Sequence, residues 1–366
     1  MNNYYSSYGD LRGGKPLIKA CNDMTCSQCG GDLEFNIKSQ NIRCPYCGYE
    51  EEIIKSFDIA SHKLSQAKEW AAYSKRNEEK SISCKNCGSV SVVPYLAKTI
   101  KCTYCGSSNC NIVEEESFME PDCVIPFIID KYEVEQIFKK WVRTRFWAPR
   151  DFKLMYQQGK LNPNYSPAWS YDANTTYYYR GKGGKITSYK VKEGDKTVTK
   201  YKTTWYRTSG NGNKGFKNVF VSDSAKDNEL IKKILDEGGL DLYKYDPRYL
   251  YSFGSEHYYK GVELCYPESQ QIMKAEIKSL VRKEILRRYD EAIIEQLDVN
   301  FNDVTFKQIL VPVWSSMFYY NNKEYRVVIN GYNGDIDGDI PISKIKVIIA
   351  VIIFIAIAII FVMNMN

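Results

Sequence analysis

The sequence predicts an α+β protein in three parts: a pair of small cysteine-rich modules at the N-terminus, a mixed domain rich in antiparallel hairpins, and one C-terminal helix. Three observations carry this. Cysteine doublets recur at fixed spacing near the start, Tyr-rich alternating segments fill the middle, and an uncharged apolar run closes the chain. With 366 residues there is room for two or three domains. The 44% hydrophobic and 26% charged content is that of a globular body, neither disordered nor polytopic. A net charge of +6 over this length does not by itself indicate a nucleic-acid binder.

Eight of the twelve cysteines form a repeat. Cys26, Cys29, Cys44 and Cys47 read C-x2-C-x14-C-x2-C, and Cys84, Cys87, Cys102 and Cys105 repeat it 58 residues later. Flanking residues repeat too: Gly30 with Gly88, Ile42 with Ile100, Tyr46 with Tyr104, Gly48 with Gly106. Four thiolates supplied by two tight turns suit a tetrahedral Zn2+ site, and glycine after each second cysteine permits positive φ. The stretches Asp32–Arg43 and Ser89–Lys101 are long enough for short hairpins that bring the turns together. This is the zinc-ribbon arrangement, with two structural ions. Modules this small bury too little apolar surface to fold alone, so metal binding would supply about 10 kcal/mol or more each. Disulfides would require an oxidising compartment, and the polar start Met1–Asp10 offers no signal sequence. A redox C-x-x-C would come once, in a βαβ setting. Cys21, Cys110, Cys123 and Cys265 have no partner at a matching offset and read as small buried hydrophobes.

At the other end, Val347–Met363 runs seventeen residues without a charge. As a helix it would cover about 25 Å, within the range of membrane spans. Lys344 and Lys346 precede it and nothing charged follows, so the positive-inside bias puts the bulk of the chain in the cytoplasm. The expected location is the plasma membrane, single-pass. The expected divisions are a flexible tail at 1–20, ribbons at 21–50 and 81–113, a helical linker at 51–80, the α+β domain at 122–342 and the transmembrane helix at 345–363.

Between the ribbons, Phe57–Arg76 has near-helical apolar spacing and reads as an amphipathic helix. Within the large domain, Val124–Ile129 reads as a strand and Glu133–Phe146 as a helix stopped before Pro149. Pro167-Ala-Trp169 leads into a Tyr-rich strand, with a turn expected at Arg180–Gly184. Pro312-Val-Trp314 leads into a hairpin over Met317–Ile329, then an Asn330-Gly331 turn and a strand in Asp335–Ile342. Gln270–Leu297 reads as one long helix.

Chemistry beyond the thiols is sparse. Gly9, Gly14 and Lys15 approach a phosphate loop, but Pro16 stands where a hydroxyl is needed and no strand precedes it, so no nucleotide is expected. His62 and His257 are the sole imidazoles and neither has an evident nucleophile, so a non-enzymatic role is expected. Asn330–Asp339 lacks the closing glutamate of a calcium loop and reads as turns. Arg180–Lys217 holds eleven Lys+Arg against two acids, interleaved with Tyr189, Tyr201, Trp205 and Tyr206. It reads three ways: a solvated hairpin, an anionic-lipid contact, or a nucleic-acid grip.

The two cysteine sets, Val124-Ile-Pro-Phe127, Ser166-Pro-Ala-Trp169, Leu310-Val-Pro-Val-Trp314 and Tyr325–Ile342 together resemble a family of bacterial membrane-anchored double zinc-ribbon proteins. These are catalogued as TFIIB-type zinc-ribbon proteins or as relatives of primosomal protein N′. One branch is tied to the phage-shock system, and the resemblance implies a tethered adaptor that holds a PspA-type, ESCRT-III-like protein partner at stressed membrane. The alternative it implies is a nucleic-acid-binding protein related to replication factors.

Overall fold

A computed structural model describes residues 25–68, 75–76, 79–94, 102, 107–113, 118–119, 121–155, 161–194, 196–224, 227–235, 240–256 and 258–365. In chain order the first strands are β1 (Glu34–Asn36), β2 (Asn41–Arg43), β3 (Glu50–Glu52), β4 (His62–Lys63), β5 (Lys75–Arg76), β6 (Glu79–Cys84), β7 (Val90–Pro94), β8 (Cys110–Val113), β9 (Phe118–Met119) and β10 (Cys123–Val124). Helices α1 (Lys131–Thr144) and α2 (Arg150–Met155) follow. Then come β11 (Asn162–Glu193), β12 (Lys196–Ser222), α3 (Asn228–Leu235), β13 (Tyr243–Lys244), β14 (Gly254–Glu256) and α4 (Val262–Leu286). The chain closes with β15 (Glu291–Tyr320), β16 (Lys323–Asn330), β17 (Ile336–Gly338) and α5 (Lys344–Met365). The architecture is broadly α+β and sheet-rich.

Three very long strands dominate. β11 lies between β12 and β15, antiparallel to both. At about 3.3 Å per residue, the 32 residues of β11 run roughly 100 Å. The two P-x-W stretches fall in neighbouring strands, with Pro163 opposite Trp314 and Trp169 opposite Gln308. From Ala173 to Tyr179, odd-numbered residues of β11 are buried and even-numbered ones exposed, except that buried Thr175 also binds Lys214 O. The buried face is covered by α4, whose Cys265, Met273, Ile277, Val281 and Ile285 lie inward. The opposite face is open. Beyond Gly184, where β15 ends its pairing, β11 and β12 continue as a two-stranded hairpin to the turn at Gly194.

Both ribbons are built into the body, the second through the main sheet and the first as its own sheet β1-β2-β3 packed on a shared core. β14 joins β7, β7 joins β6, and β6 joins β8, so the second cysteine module extends the main sheet. The first module's Leu33, Phe35, Ile42 and Ile53 share one core with Phe127, Tyr249 and Phe253. Phe35 packs against the Tyr249 ring at 5.3 Å, and Gln40 Nε2 donates to Phe127 O at 2.7 Å.

Several expectations hold with small shifts. The helix expected at Glu133–Phe146 is α1, begun by a capping box between Asp130 and Glu133. The Met317–Ile329 hairpin is β15–β16, turned by Asn321 and Asn322 at φ 50 and 61. The Val124–Ile129 segment is strand only at Cys123–Val124, paired in parallel with β15.

Three expectations are corrected. The helix expected at Gln270–Leu297 begins at Val262 and ends at Leu286, and Glu291 opens β15. Ile293 and Leu297, four apart, fit a helix while Ala292 and Ile294, two apart, fit alternation, and pairing with β11 decides for strand. The turn expected at Arg180–Gly184 is continuous strand, with a register shift against β15 between Arg180 and Gly181; its glycines serve close approach instead. A Cβ on Gly181 would lie 2.2 Å from Ile293 O, and one on Gly183 would lie 2.2 Å from the Tyr289 ring. The helix expected at Phe57–Arg76 starts ten residues late: β4 and a 3-10 turn at Leu64–Gln66 come first, helix is seen at Ala67 and Lys68, and Lys75–Arg76 is β5. β4 edges β15 at Thr305 and Phe306, and His62 Nε2 lies 2.6 Å from Asp122 Oδ1. Residues 69–74 of that expected helix, the 1–20 tail, Cys21 and His257 lie outside the described residues.

Candidate metal centres and the foot of the last helix

The first cysteine set forms two matched turns. Gly30 N donates to Cys26 O at 2.8 Å and Gly48 N to Cys44 O at 3.0 Å, with the glycines at φ 74 and 77. Each turn therefore aims two Sγ atoms the same way. The hairpin β1–β2 then brings the turns face to face. Cys26 Sγ lies 3.5 Å from Cys47 Sγ, Cys29 Sγ lies 3.5 Å from Cys44 Sγ, and all four fall within 4.8 Å of one another. A disulfide needs about 2.05 Å, so these are free thiols. Metal–sulfur bonds of about 2.3 Å in a tetrahedron place sulfurs about 3.8 Å apart, which this set approaches. Cys26 and Cys44 are buried, Cys29 and Cys47 exposed.

The electrostatics point the same way. Burial pushes the Cys44 thiol up, but amides of Cys47 and Tyr46 and the thiols of Cys29 and Cys47 bring it down to about 7. The Tyr49 amide favours the Cys47 thiolate, yet burial and the thiols of Cys29, Cys26 and Cys44 push it up to about 12. One thiolate forms near neutrality and further charge is resisted at such spacing. A divalent cation removes that resistance.

The second set repeats the geometry as far as it is described. Gly88 N donates to Cys84 O at 2.8 Å with φ 67, and Cys87 Sγ lies 3.5 Å from Cys102 Sγ. Cys84, Cys87 and Cys102 form a second group that could hold a metal ion. Cys105 lies outside the described residues. Ser89 Oγ is 3.1 Å from Cys102 Sγ, a contact that spacing did not signal. Cys110, across the β6–β8 pair from Cys84, packs against this group. Cys123 and Cys265 are buried far from it, as small hydrophobes.

The last helix is long and apolar enough to cross a membrane over Lys344–Phe361, and none of that stretch is buried against the body. Ser343 stands before its first residue and Lys346 N donates to Ser343 Oγ at 3.4 Å. Its foot is tied to the 145–148 loop: Ser343 N donates to Trp147 O at 2.8 Å, and Lys346 Nζ donates to Phe146 O at 2.7 Å and Ala148 O at 2.8 Å. Phe146 and Trp147 stay exposed there, at 69% and 46%.

The basic segment Arg180–Lys217 is nowhere near this foot. It forms β11 beyond Tyr179 and all of β12 but its last five residues, with most of its cations toward the turn at Gly194, whereas the foot neighbours the other end, where Tyr320 donates to Asp151. Tyr201 and Tyr206 are exposed on the hairpin.

The chain is 26% identical, over 325 residues, to the uncharacterized protein YdjG of Bacillus subtilis (strain 168), covering 88% of this chain and 91% of that one. No family model matches the sequence. No solved structure matches it either.

Proposed function

We propose that this protein is a non-enzymatic adaptor, held in the plasma membrane by α5 with its body in the cytoplasm, that recruits a protein partner to the bilayer. The observation that carries this reading is the joint at Lys346, which bonds an otherwise uncovered apolar helix rigidly to a folded body. The metal is zinc, two ions per chain, on Cys26, Cys29, Cys44, Cys47 and on Cys84, Cys87, Cys102, Cys105. Sulfur-only tetrahedral sites select Zn2+ or iron, and a set closed by four protein ligands supplies rigidity rather than chemistry. Exposed Phe146 and Trp147 suit the interfacial belt where aromatics settle. The family resemblance makes a PspA-type membrane-stress protein the partner class.

The test is crosslinking in native membranes with the full chain, alongside metal analysis. Wild type is expected to hold two zinc ions and to capture one specific partner; Cys26→Ser is expected to lose an ion and that partner. Identical captures from both chains, or a chain recovered free of membrane, would overturn the reading.

A second reading rests on Tyr201, Trp205 and Tyr206 among the cations of the distal hairpin: single-stranded nucleic acid stacking on the aromatics. It requires binding that weakens steeply with salt. Oligonucleotides that leave the detergent-purified chain unshifted at low salt would exclude it.

A further inference from the structure

We infer that this protein associates side by side with copies of itself, the outer edge of β12 in one chain pairing with the outer edge of β15 in the next. Among the described residues, β12 pairs only with β11, and β15 has no second neighbour from Glu291 to Val304. The long sheet thus ends on two open rows of backbone donors and acceptors, the arrangement that templates further strands.

The two edges carry opposite charge. β12 holds Arg207 and Lys214 level with the open part of β15, Lys200 and Lys202 in the hairpin just beyond it, and no acid. The open part of β15 holds Glu291, Glu295, Asp298 and Asp303 and no cation. Edges guarded against association would carry one sign, so that every approach repels. Opposite signs disfavour β12 meeting β12 and favour β12 meeting β15. The helix above repeats the asymmetry. Glu276 bonds Lys214 on the β12 side, while Lys274 lies over the Phe301 ring and Arg282 reaches Ala292 O on the β15 side. Side-by-side copies therefore bring an acidic helix flank against a basic one.

The dimensions agree. Three strands advance the sheet by about 14 Å per copy, and a helix of about 10–12 Å diameter fits that repeat. Helices held in one bilayer would keep neighbours parallel and level, which rests on the membrane reading above. At equal level, Glu291 and Trp205 share the row of Gly184, and Arg207 shares that of Lys182, beside Glu291. Such pairing uses different surfaces on the two partners, so it grows rows or closes rings rather than stopping at dimers.

The test uses the full-length chain in lipid nanodiscs and native membranes, read by crosslinking at low and high salt. Lys202→Glu with Arg207→Glu, and separately Glu291→Lys with Asp298→Lys, should each lower crosslinked oligomer about tenfold. Co-expressing the two variants should restore it, because each then offers the sign the other lacks. A membrane-bound wild type that stays monomeric, variants that crosslink as wild type does, or a mixture that recovers nothing would each overturn the inference. Recovery of the chain outside the membrane would instead remove the tether reading.

Discussion

Trp169 donates from Nε1 to Asp223 at 2.8 Å, both fully buried, and the same carboxylate receives the backbone amides of Lys260 and Gly261 at 2.7 and 3.0 Å. One side chain thus joins β11, the end of β12 and the start of α4. The P-x-W stretch has its tryptophan for this bond as much as for its volume.

Asp223→Ala would strand the buried Trp169 donor and two part-buried amides. Each charged hydrogen bond is worth about 1.5–3 kcal/mol, so the expected loss in denaturant unfolding is about 3 kcal/mol or more. Trp169→Phe should cost only about 1–2 kcal/mol, and a smaller effect for Asp223→Ala than for Trp169→Phe would contradict this account.

Gly183 is a space requirement. A Cβ there meets the Tyr289 ring, so Gly183→Ala should destabilise by about 1–3 kcal/mol. In a Tyr289→Ala background the same substitution should cost little, and a double-mutant cycle by thermal melting reads the coupling.

The foot of α5 makes a spectroscopic prediction. In nanodiscs containing brominated lipids, Trp147→Phe should remove the largest share of tryptophan quenching, since Trp169, Trp314 and Trp141 are buried. Trp205, at the distal hairpin, should contribute nothing. Quenching lost in Trp205→Phe would mean that the hairpin lies on the same bilayer.

Alkaline pH should weaken the fold. Burial, with the Asp246 charge, pushes the Tyr249 hydroxyl up to about 12, and burial, with the Asp223 charge, pushes the Cys265 thiol up to about 12. Both protons stay on in the native state while the unfolded chain releases them nearer 9 to 10. Stability therefore falls as pH rises past about 9, by at most roughly 1.4 kcal/mol per pH unit for each group. Cys265→Ala should flatten the slope of the urea midpoint against pH between 9 and 12.

The cysteine repeat and the terminal apolar run were legible because each is a local pattern: thiolate turns need C-x2-C with a following glycine, and a span needs an unbroken apolar stretch. Helix α1 was legible too, from its periodicity and the proline beyond its end. Sequence spacing left three matters open that only contacts between distant segments decided. Ile293 with Leu297 satisfies helical spacing and Ala292 with Ile294 alternation, and the β11 ladder made the segment strand. Gly181, Gly183 and Gly184 look like a turn in isolation, but carbonyl and ring atoms of other segments need their emptiness. The cations of 180–217 fit a lipid contact by composition alone, and strand pairing carries most of them toward the turn at Gly194, away from the foot of α5. Charge and composition belong to a chain, whereas the distance of a strand's far end from a helix's foot exists only once the strands have paired.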